Sequence, residues 1–158
     1  MKNIIKKKLA FNNRVASILG YFGALPFIFT AFSVWFINDK LLSLFFNGII
    51  AYSYIIFTFI GAVYWGLGLS ISNEVKSKKY YLFSIGPSLC AWLIFFIEFL
   101  LLYKIVLVII FLNIFILIEK KLLINDVKLK WFLYLRIKLN LLVTVSLLAI
   151  ILKLSVIK

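Results

Sequence analysis

Histidine is absent from the 158 residues, and cysteine occurs once, at Cys90. Without histidine the chain cannot form a Ser-His triad, histidine-ligated haem or zinc, or the usual proton shuttle. A single cysteine forms neither an intrachain disulfide nor a thiolate cluster around a metal. The sequence therefore predicts no metal site, no cofactor and no redox chemistry.

Acidic residues are also scarce, with only five in the chain. An ionisable group in the middle of a membrane span marks an ion path, but all five acids fall at predicted span ends or in predicted loops. Paired carboxylates for acid-base or two-metal chemistry are missing too. We predict a protein that is not an enzyme and has no catalytic residue. The acids are Asp39, Glu74, Glu98, Glu119 and Asp126, of which Glu98 is expected to anchor a hairpin with Lys104.

Apolar residues dominate what is present: 65% of the chain is hydrophobic, and the mean hydropathy is +1.14. Such a composition exceeds what a water-facing surface accommodates, and about 20 apolar residues cross a bilayer as a helix. The sequence predicts an all-α polytopic membrane protein, a bundle of five transmembrane helices that forms a single domain over residues 1–158. The first run is long enough to be an uncleaved span rather than a signal peptide. The predicted spans are 17–37, 48–71, 81–97, 104–118 and 139–157.

Lysine and arginine alternate between many and few along the chain, and the net charge is +13. The six polar segments carry five, one, three, one, six and two cations in order. Because basic loops are retained in the cytoplasm, this pattern predicts a cytoplasmic N-terminus and a periplasmic C-terminus. We interpret the cations as this topology signal and as partners of membrane lipids, including anionic headgroups, rather than of nucleic acid.

Small residues concentrate in the second half of span two. Ala62, Gly66 and Ser70 recur every four residues, with Gly61 and Gly68 beside them seven apart. A face of nearly bare backbone permits close helix contact. We predict that these five residues form the packing centre of the bundle.

Two prolines and one basic segment predict irregular features. Pro26 and Pro87 are expected to kink spans one and three, because proline removes a backbone donor and clashes with the preceding turn. Residues 119–138 form the largest predicted cytoplasmic segment. Within it, residues 131–138 alternate aromatic, apolar and basic side chains, which predicts a helix lying at the membrane interface.

Arg136 follows two aromatic residues at helical spacing, where the interfacial helix meets span five. Its side chain either snorkels to lipid phosphate or makes a bidentate contact with a lipid phosphate, with a carboxylate such as Glu74 or Glu119, or with a partner protein. Aromatic residues near the same interface are interpreted mainly as belt residues, and polar residues within the spans as hydrogen-bond partners across helices. The aromatic set is Tyr64, Trp65, Tyr80, Tyr81, Trp131 and Tyr134; the polar set is Thr58, Ser84, Ser88, Asn113, Thr144 and Ser146.

Several short motifs, in order, are similar to those of a known family. They resemble the domain-of-unknown-function 3429 family of small bacterial inner-membrane proteins, which also includes transmembrane protein 69 of animal mitochondria. The resemblance covers residues 20–149 and implies a fold and a location, not a reaction or a substrate. The motifs are Gly23-x-x-Pro26-Phe27, Ala51-Tyr52, Phe59-x-Gly61-x-x-x-Trp65-Gly66, Pro87-Ser88-Leu89-x-x-Trp92 and Trp131-x-x-x-Leu135-Arg136.

Two functions are compatible with these features. The first is a non-enzymatic accessory or assembly subunit that acts through helix contacts, with a membrane-protein partner or with further copies of itself. The second is a small protein that binds or transports a lipid or hydrophobic solute in a cytoplasm-facing cleft. The candidate cleft residues are Tyr64, Trp65, Gly66, Pro87, Ser88, Trp92, Trp131 and Arg136.

Overall fold

The computed structural model describes residues 2–96, 100–124 and 126–156, with side chains from residue 13 onward. Within these ranges the regular structure is helical throughout, and each of the five helices contains a segment long and apolar enough to cross a membrane. The predicted all-α architecture is confirmed. The helices are α1 (Lys2–Ser33), α2 (Asp39–Leu69), α3 (Glu74–Phe96), α4 (Leu101–Leu123) and α5 (Lys130–Val156).

Short polar side chains begin several of these helices. Asn38 is in an extended conformation immediately before α2, and Asp39 places a negative charge in its first turn. Before α3, the Asn73 side-chain oxygen accepts a hydrogen bond from the Lys76 backbone N–H at 2.9 Å. The Asn73 cap satisfies an N–H group that has no partner inside α3, whereas the Asn38 side chain makes no such bond and Asp39 complements the dipole of α2. Local chemistry thus determines where the spans begin.

The connections are shorter than the sequence predicts. Residues 38–47, predicted as a loop, are helical from Asp39 onward. The separate interfacial helix predicted over 131–138 is instead the first part of the continuous helix α5. Neither stretch contains a proline that would interrupt a helix, and polar residues are tolerated near helix ends. Glu98, predicted to pair with Lys104, lies outside the described residues, and Lys104 is in the first turn of α4.

The five helices pack in an incomplete ring. α2 packs most extensively on α3, and α4 contacts both of them. α5 packs on α4, and α1 packs on α5. α1 also contacts α2, but less extensively. In the described part of the chain the backbones of α2 and α5 do not meet. The space between them is where the candidate site lies.

The centre of the bundle is aromatic. The Tyr64 ring of α2 packs edge-on against Tyr80 and Phe83 of α3, with ring centroids 5.8 and 4.6 Å apart. Phe57 and Phe115 join α2 to α4 in the same geometry at 5.3 Å. Offset and edge-on contacts of this kind are favourable beyond the area they bury. The interpretation of Tyr64 and Tyr80 as belt residues is wrong, since both are completely buried.

Glycine allows α2 and α3 to approach closely at two points. A Cβ atom at Gly61 would lie against the backbone carbonyl oxygen of Ser84, and one at Gly68 would be 2.7 Å from Cε1 of Tyr81. The Gly68 carbonyl oxygen also accepts a hydrogen bond from the Ser77 hydroxyl at 2.9 Å. Small residues at such crossings are what bring helix backbones together in a membrane.

The rest of the predicted small-residue face lies elsewhere. Ala62, Gly66 and Ser70 are exposed, and nothing lies within 4 Å of a Cβ placed on Gly66. Residues seven apart share one face of a helix, and the neighbouring position is turned by about 100°. The two glycines seven apart, Gly61 and Gly68, therefore meet α3, while the series at every fourth residue faces outward.

Contacts between loops identify the two ends of the bundle. Lys76, in the first turn of α3, donates to Asp126 of the α4–α5 connection at 2.9 Å. At the opposite end the Lys153 ammonium lies 5.6 Å from the centre of the Trp35 ring. The first of these ends, which also holds the start of α1, is called the basic end below, because its segments carry fourteen of the 18 cations.

Candidate functional site

A cavity of about 680 Å³ occupies the gap between α2 and α5, with α1 as its third wall. Apolar side chains make up most of the lining, and polar groups come from α2 and α5. Its size falls within the range of about 300–1,000 Å³ that is usual for ligand pockets. The lining residues are Ala16, Leu19, Gly20, Gly23, Ala24, Phe27, Tyr52, Ile55, Ile56, Phe59, Ile60, Val63, Tyr64, Leu112, Trp131, Phe132, Leu135, Arg136, Leu139, Asn140 and Val143.

Two glycines of α1 shape its wall of the cavity. A Cβ at Gly20 would lie 3.1 Å from Cδ1 of Leu139, so this glycine permits the close contact of α1 with α5. One turn later, Gly23 has open space where its side chain would be. Its carbonyl oxygen accepts a hydrogen bond from the Tyr52 hydroxyl of α2 at 2.9 Å, and that ring packs on Phe27. Gly23 thus leaves volume in the cavity while its backbone holds α1 to α2.

Arg136 forms a buried ion pair with Glu119 beside the cavity. Its Nε lies 3.0 and 3.2 Å from the two carboxylate oxygens, and Nη2 lies 3.0 Å from Oε1. The Glu119 side chain is 0% exposed and that of Arg136 14%. Of the interpretations offered for Arg136, the structure shows the bidentate carboxylate contact, and with Glu119 rather than Glu74. A fork of this kind is specific to arginine.

The prediction that Glu119 belongs to a charged loop is therefore wrong. It lies inside α4, about one turn before the helix ends at Leu123, and faces α5. A buried carboxylate is stable only when a cation and hydrogen bonds compensate it. Among the described residues Glu119 is the one acid that is completely buried, and it faces Arg136, which supplies both the cation and the hydrogen bonds.

Further polar contacts continue from the ion pair along the α4–α5 interface. Asn140, one turn beyond Arg136, donates through Nδ2 to the side-chain oxygen of Asn113 at 3.1 Å. Asn113 in turn approaches the Thr144 hydroxyl at 3.4 Å and donates to the Ile109 carbonyl at 2.8 Å. The predicted hydrogen bond across helices is confirmed for Asn113 and Thr144. By contrast, the hydroxyls of Thr58, Ser84 and Ser146 bond to carbonyls of their own helices.

Two buried polar atoms belonging to cavity-lining residues have no hydrogen-bond partner in the described part of the chain. They are the hydroxyl of Tyr64 and the side-chain oxygen of Asn140. Tyr64 is 0% exposed and Asn140 is 8% exposed. Unpartnered buried polar atoms are rare in folded proteins because each forfeits its hydrogen bonds to water.

Three of the eight predicted cleft residues, Tyr64, Trp131 and Arg136, line the cavity. They come from two helices far apart in the sequence, so the tertiary fold brings them together. Trp131 lies near the start of α5, at the basic end of the cavity.

The other five predicted cleft residues lie away from the cavity. Trp65 is half exposed and packs on the Tyr81 ring at 5.1 Å, and Trp92 is 57% exposed beside Phe96. Both are on the α2–α3 side of the bundle, because Trp65 packs on a ring of α3 and Trp92 belongs to α3. The remaining three are Gly66, which is exposed, Pro87, which is buried, and Ser88, which is partly buried.

Sequence reasoning missed the α1 wall and the role of Asn140. The available signal was the spacing of Arg136, Asn140 and Thr144, which recur every four residues and therefore share one face of α5. Nothing in α1 indicated that Gly20 and Gly23 face a cavity.

A second, more open groove of about 450 Å³ lies on the other side of the α1–α5 contact. It contains two cations, Arg14 and Lys138, and no acid among its lining residues. Such basic surfaces at a membrane boundary attract anionic headgroups. The other lining residues are Asn13, Ser17, Tyr21, Trp131, Tyr134 and Leu135.

The loop contact at the basic end is more exposed than the Arg136–Glu119 pair. Asp126 accepts from the Lys76 ammonium at 2.9 Å and from the Lys128 backbone N–H at 3.1 Å. The hydrogen bond from Lys76 lowers the pKa of the Asp126 carboxyl below its ordinary value. This contact holds the α4–α5 connection against the start of α3.

Together these features define a multi-pass membrane protein of five helices with an internal apolar cavity and a buried ion pair. The chain belongs to the family described as Protein of unknown function (DUF3429), whose model matches residues 12–152. The resemblance seen in the sequence motifs is thereby confirmed. No curated protein and no solved structure matches the chain.

Proposed function

We propose that this protein is a non-enzymatic membrane protein that binds an amphiphile from the surrounding bilayer in the cavity between α1, α2 and α5. The observation that carries the proposal is the cavity of about 680 Å³, whose wall is mostly apolar but includes Arg136, the partner of the buried Glu119. An apolar enclosure with a few convergent polar groups is the usual form of a ligand site. The alkyl part of the ligand lies against the apolar wall, and its polar part lies near the ion pair.

The packing of α1 supports access from the bilayer. The contact of α1 with α2 is smaller than its contact with α5. Within the described residues, the hydrogen bond from the Tyr52 hydroxyl to the Gly23 carbonyl oxygen joins α2 to α1. Lipid tails are as apolar as the cavity wall, so an alkyl chain moves between them without a large change in solvation. A shift of α1 away from α2 opens the cavity toward the bilayer.

Filling the cavity tests the proposal. Gly23→Phe adds a ring to a cavity-lining residue at which a Cβ would meet nothing within 4 Å. Gly48→Phe is the matched control, because Gly48 also has open space but does not line the cavity. The full-length protein in lipid nanodiscs is photolabelled with an alkyl lipid probe that carries a diazirine in its chain, and labelled peptides are mapped by mass spectrometry.

We expect the wild-type protein and Gly48→Phe to be labelled on cavity residues of α1, α2 and α5. Gly23→Phe should lose most of that labelling while keeping the labelling of lipid-facing residues. Equal labelling of cavity peptides in the two variants would contradict the proposal.

A second function, as an accessory or assembly subunit, is favoured by the exposed small residues of α2. Ala62, Gly66 and Ser70 form an outward stripe that meets no helix of this chain in the described structure. A partner helix or another copy of the chain packs on such a stripe at short distance. Gly66→Leu should abolish co-purification of a partner from native membranes under gentle extraction, and retention of that partner would contradict this role.

The proposed location is the bacterial inner membrane, with the basic end in the cytoplasm and the C-terminus in the periplasm. Support comes from the fourteen of 18 cations at the basic end and from Arg14 and Lys138 in the second groove, where anionic headgroups are the expected partners. Reporter tags on the two termini test the orientation. Finding both tags on the same side would overturn it.

A further inference from the structure

We infer that the ligand of the α1–α2–α5 cavity has an uncharged polar head that offers both a hydrogen-bond donor and an acceptor, as the free hydroxyl and ester carbonyls of a diacylglycerol do. This inference rests on the proposed function. It comes from three residues of the cavity wall: Arg136, whose charge is paired with Glu119, and Tyr64 and Asn140, whose buried hydroxyl and side-chain oxygen have no partner in the described part of the chain.

Charge excludes an anionic head. Glu119 holds both Nε and Nη2 of Arg136, so the positive charge at the cavity wall is already neutralised. A phosphate or carboxylate that approached Arg136 would have to displace Glu119 or lie beside it. Displacement leaves a completely buried carboxylate without its cation, which is strongly unfavourable. The ion pair therefore presents polarity to the cavity without net charge.

Hydrogen bonding requires more than an alkyl chain. The Asn140 side-chain oxygen is a carbonyl oxygen and can only accept, and the amide nitrogen of the same side chain donates to Asn113. The Tyr64 hydroxyl can donate. Both atoms are buried and unpartnered in the described part of the chain, so a ligand that pairs with them recovers hydrogen bonds that the protein alone leaves unmade. A hydroxyl satisfies Asn140, and a carbonyl oxygen satisfies Tyr64.

The polar residues of the cavity lie on two different walls. Asn140 follows Arg136 by four residues of α5, which places it about 6 Å further along the helix axis. Tyr64 belongs to α2, on the opposite wall of the cavity. A head that carries both a carbonyl for Tyr64 and a hydroxyl for Asn140 pairs with both walls at once.

Two probes that differ by one phosphate test the inference. The full-length protein in neutral lipid nanodiscs is photolabelled with a diacylglycerol and with a phosphatidate that carry the same diazirine-bearing chains. We expect the diacylglycerol to label cavity peptides at least about tenfold more efficiently than the phosphatidate. Tyr64→Phe and Asn140→Leu should each lower labelling by diacylglycerol by about fivefold, the usual effect of one lost hydrogen bond.

Thr144→Val is the matched control, since it breaks a contact of the same α4–α5 network at a residue that does not line the cavity. It should leave diacylglycerol labelling unchanged. Tyr64→Phe keeps the ring and its packing on Phe83, so this variant remains informative if Asn140→Leu does not fold.

The outcomes separate this inference from the proposed function. Equal or stronger labelling by phosphatidate, still abolished by Gly23→Phe, would overturn the uncharged head and leave cavity binding standing. Unchanged diacylglycerol labelling in Tyr64→Phe would also overturn it, because a water molecule would then be the partner of that hydroxyl. Labelling that Gly23→Phe does not reduce, or no cavity labelling by either probe, would contradict the proposed function itself.

Discussion

Removing the charge of Glu119 should destabilise the protein more than any other single isosteric change at the α4–α5 interface. Glu119→Gln keeps the shape of the side chain but leaves the Arg136 guanidinium buried without its anion. The two side chains are 0% and 14% exposed, so little water is available to replace the carboxylate. Breaking a buried pair by removing one partner costs about 3–5 kcal/mol.

We expect a value near the lower end of that range, about 3 kcal/mol. Arg136 lies on the second turn of α5, close enough to the basic end for part of its charge to reach polar surroundings. Insertion of an arginine at the centre of a membrane helix, at about 2.5–3.5 kcal/mol, gives a comparable magnitude. A loss of about 3 kcal/mol lowers the folding equilibrium constant roughly 150-fold.

A double-mutant cycle separates this pair from general packing. Arg136→Met alone leaves the Glu119 carboxyl buried without a cation and should be destabilising by a similar amount. The double variant Glu119→Gln with Arg136→Met removes both charges and should lie within about 1 kcal/mol of the wild type, since apolar replacement of a buried pair is often close to neutral. Reversible unfolding by denaturing detergent in mixed micelles measures each free energy.

The reasoning fails if Glu119→Gln unfolds within about 0.5 kcal/mol of the wild type, or if the two single effects simply add in the double variant. Either result would mean that the pair is solvated in the membrane-embedded protein. Additivity would show that Arg136 and Glu119 do not stabilise each other.

Two further predictions concern α2 and the basic end. Gly61→Ala should lower the free energy of unfolding by about 1–3 kcal/mol in the same assay, because the added methyl group meets the Ser84 carbonyl. Gly66→Ala should be neutral or stabilising by up to about 1 kcal/mol, because its methyl group meets open space. Equal effects of the two variants would contradict the assigned packing face. Acidification should release the Lys76–Asp126 contact. Because the Asp126 pKa is lowered, its stabilisation is present above the ordinary carboxyl pKa and is lost as the pH falls through the lowered value. Both side chains are partly exposed, so the loss should be below about 1 kcal/mol and absent in Asp126→Asn, as measured by unfolding at several pH values.

The sequence by itself determined the class of protein, the number of helices and some of the candidate residues for polar contacts. Apolar runs long enough to cross a bilayer are a local property of the sequence, so they can be identified without any knowledge of tertiary contacts. The expectation that Asn113 and Thr144 bond across helices also followed from their position within apolar spans, where few other partners exist. Arg136 was recognised as a candidate for a fork contact, with Glu119 among its possible partners.

Tertiary structure alone decided which faces of the helices meet and where a cavity remains. In water, burial leaves an amphipathic pattern in the sequence; in a bilayer the lipid is as apolar as the protein interior, so a lipid-facing and a buried side chain look alike. Trp65 and Tyr64 are neighbours of similar character, yet the first is half exposed and the second is completely buried. For the same reason nothing in α1 marked Gly23 as a cavity residue, because that role depends on how α1 lies against α2 and α5.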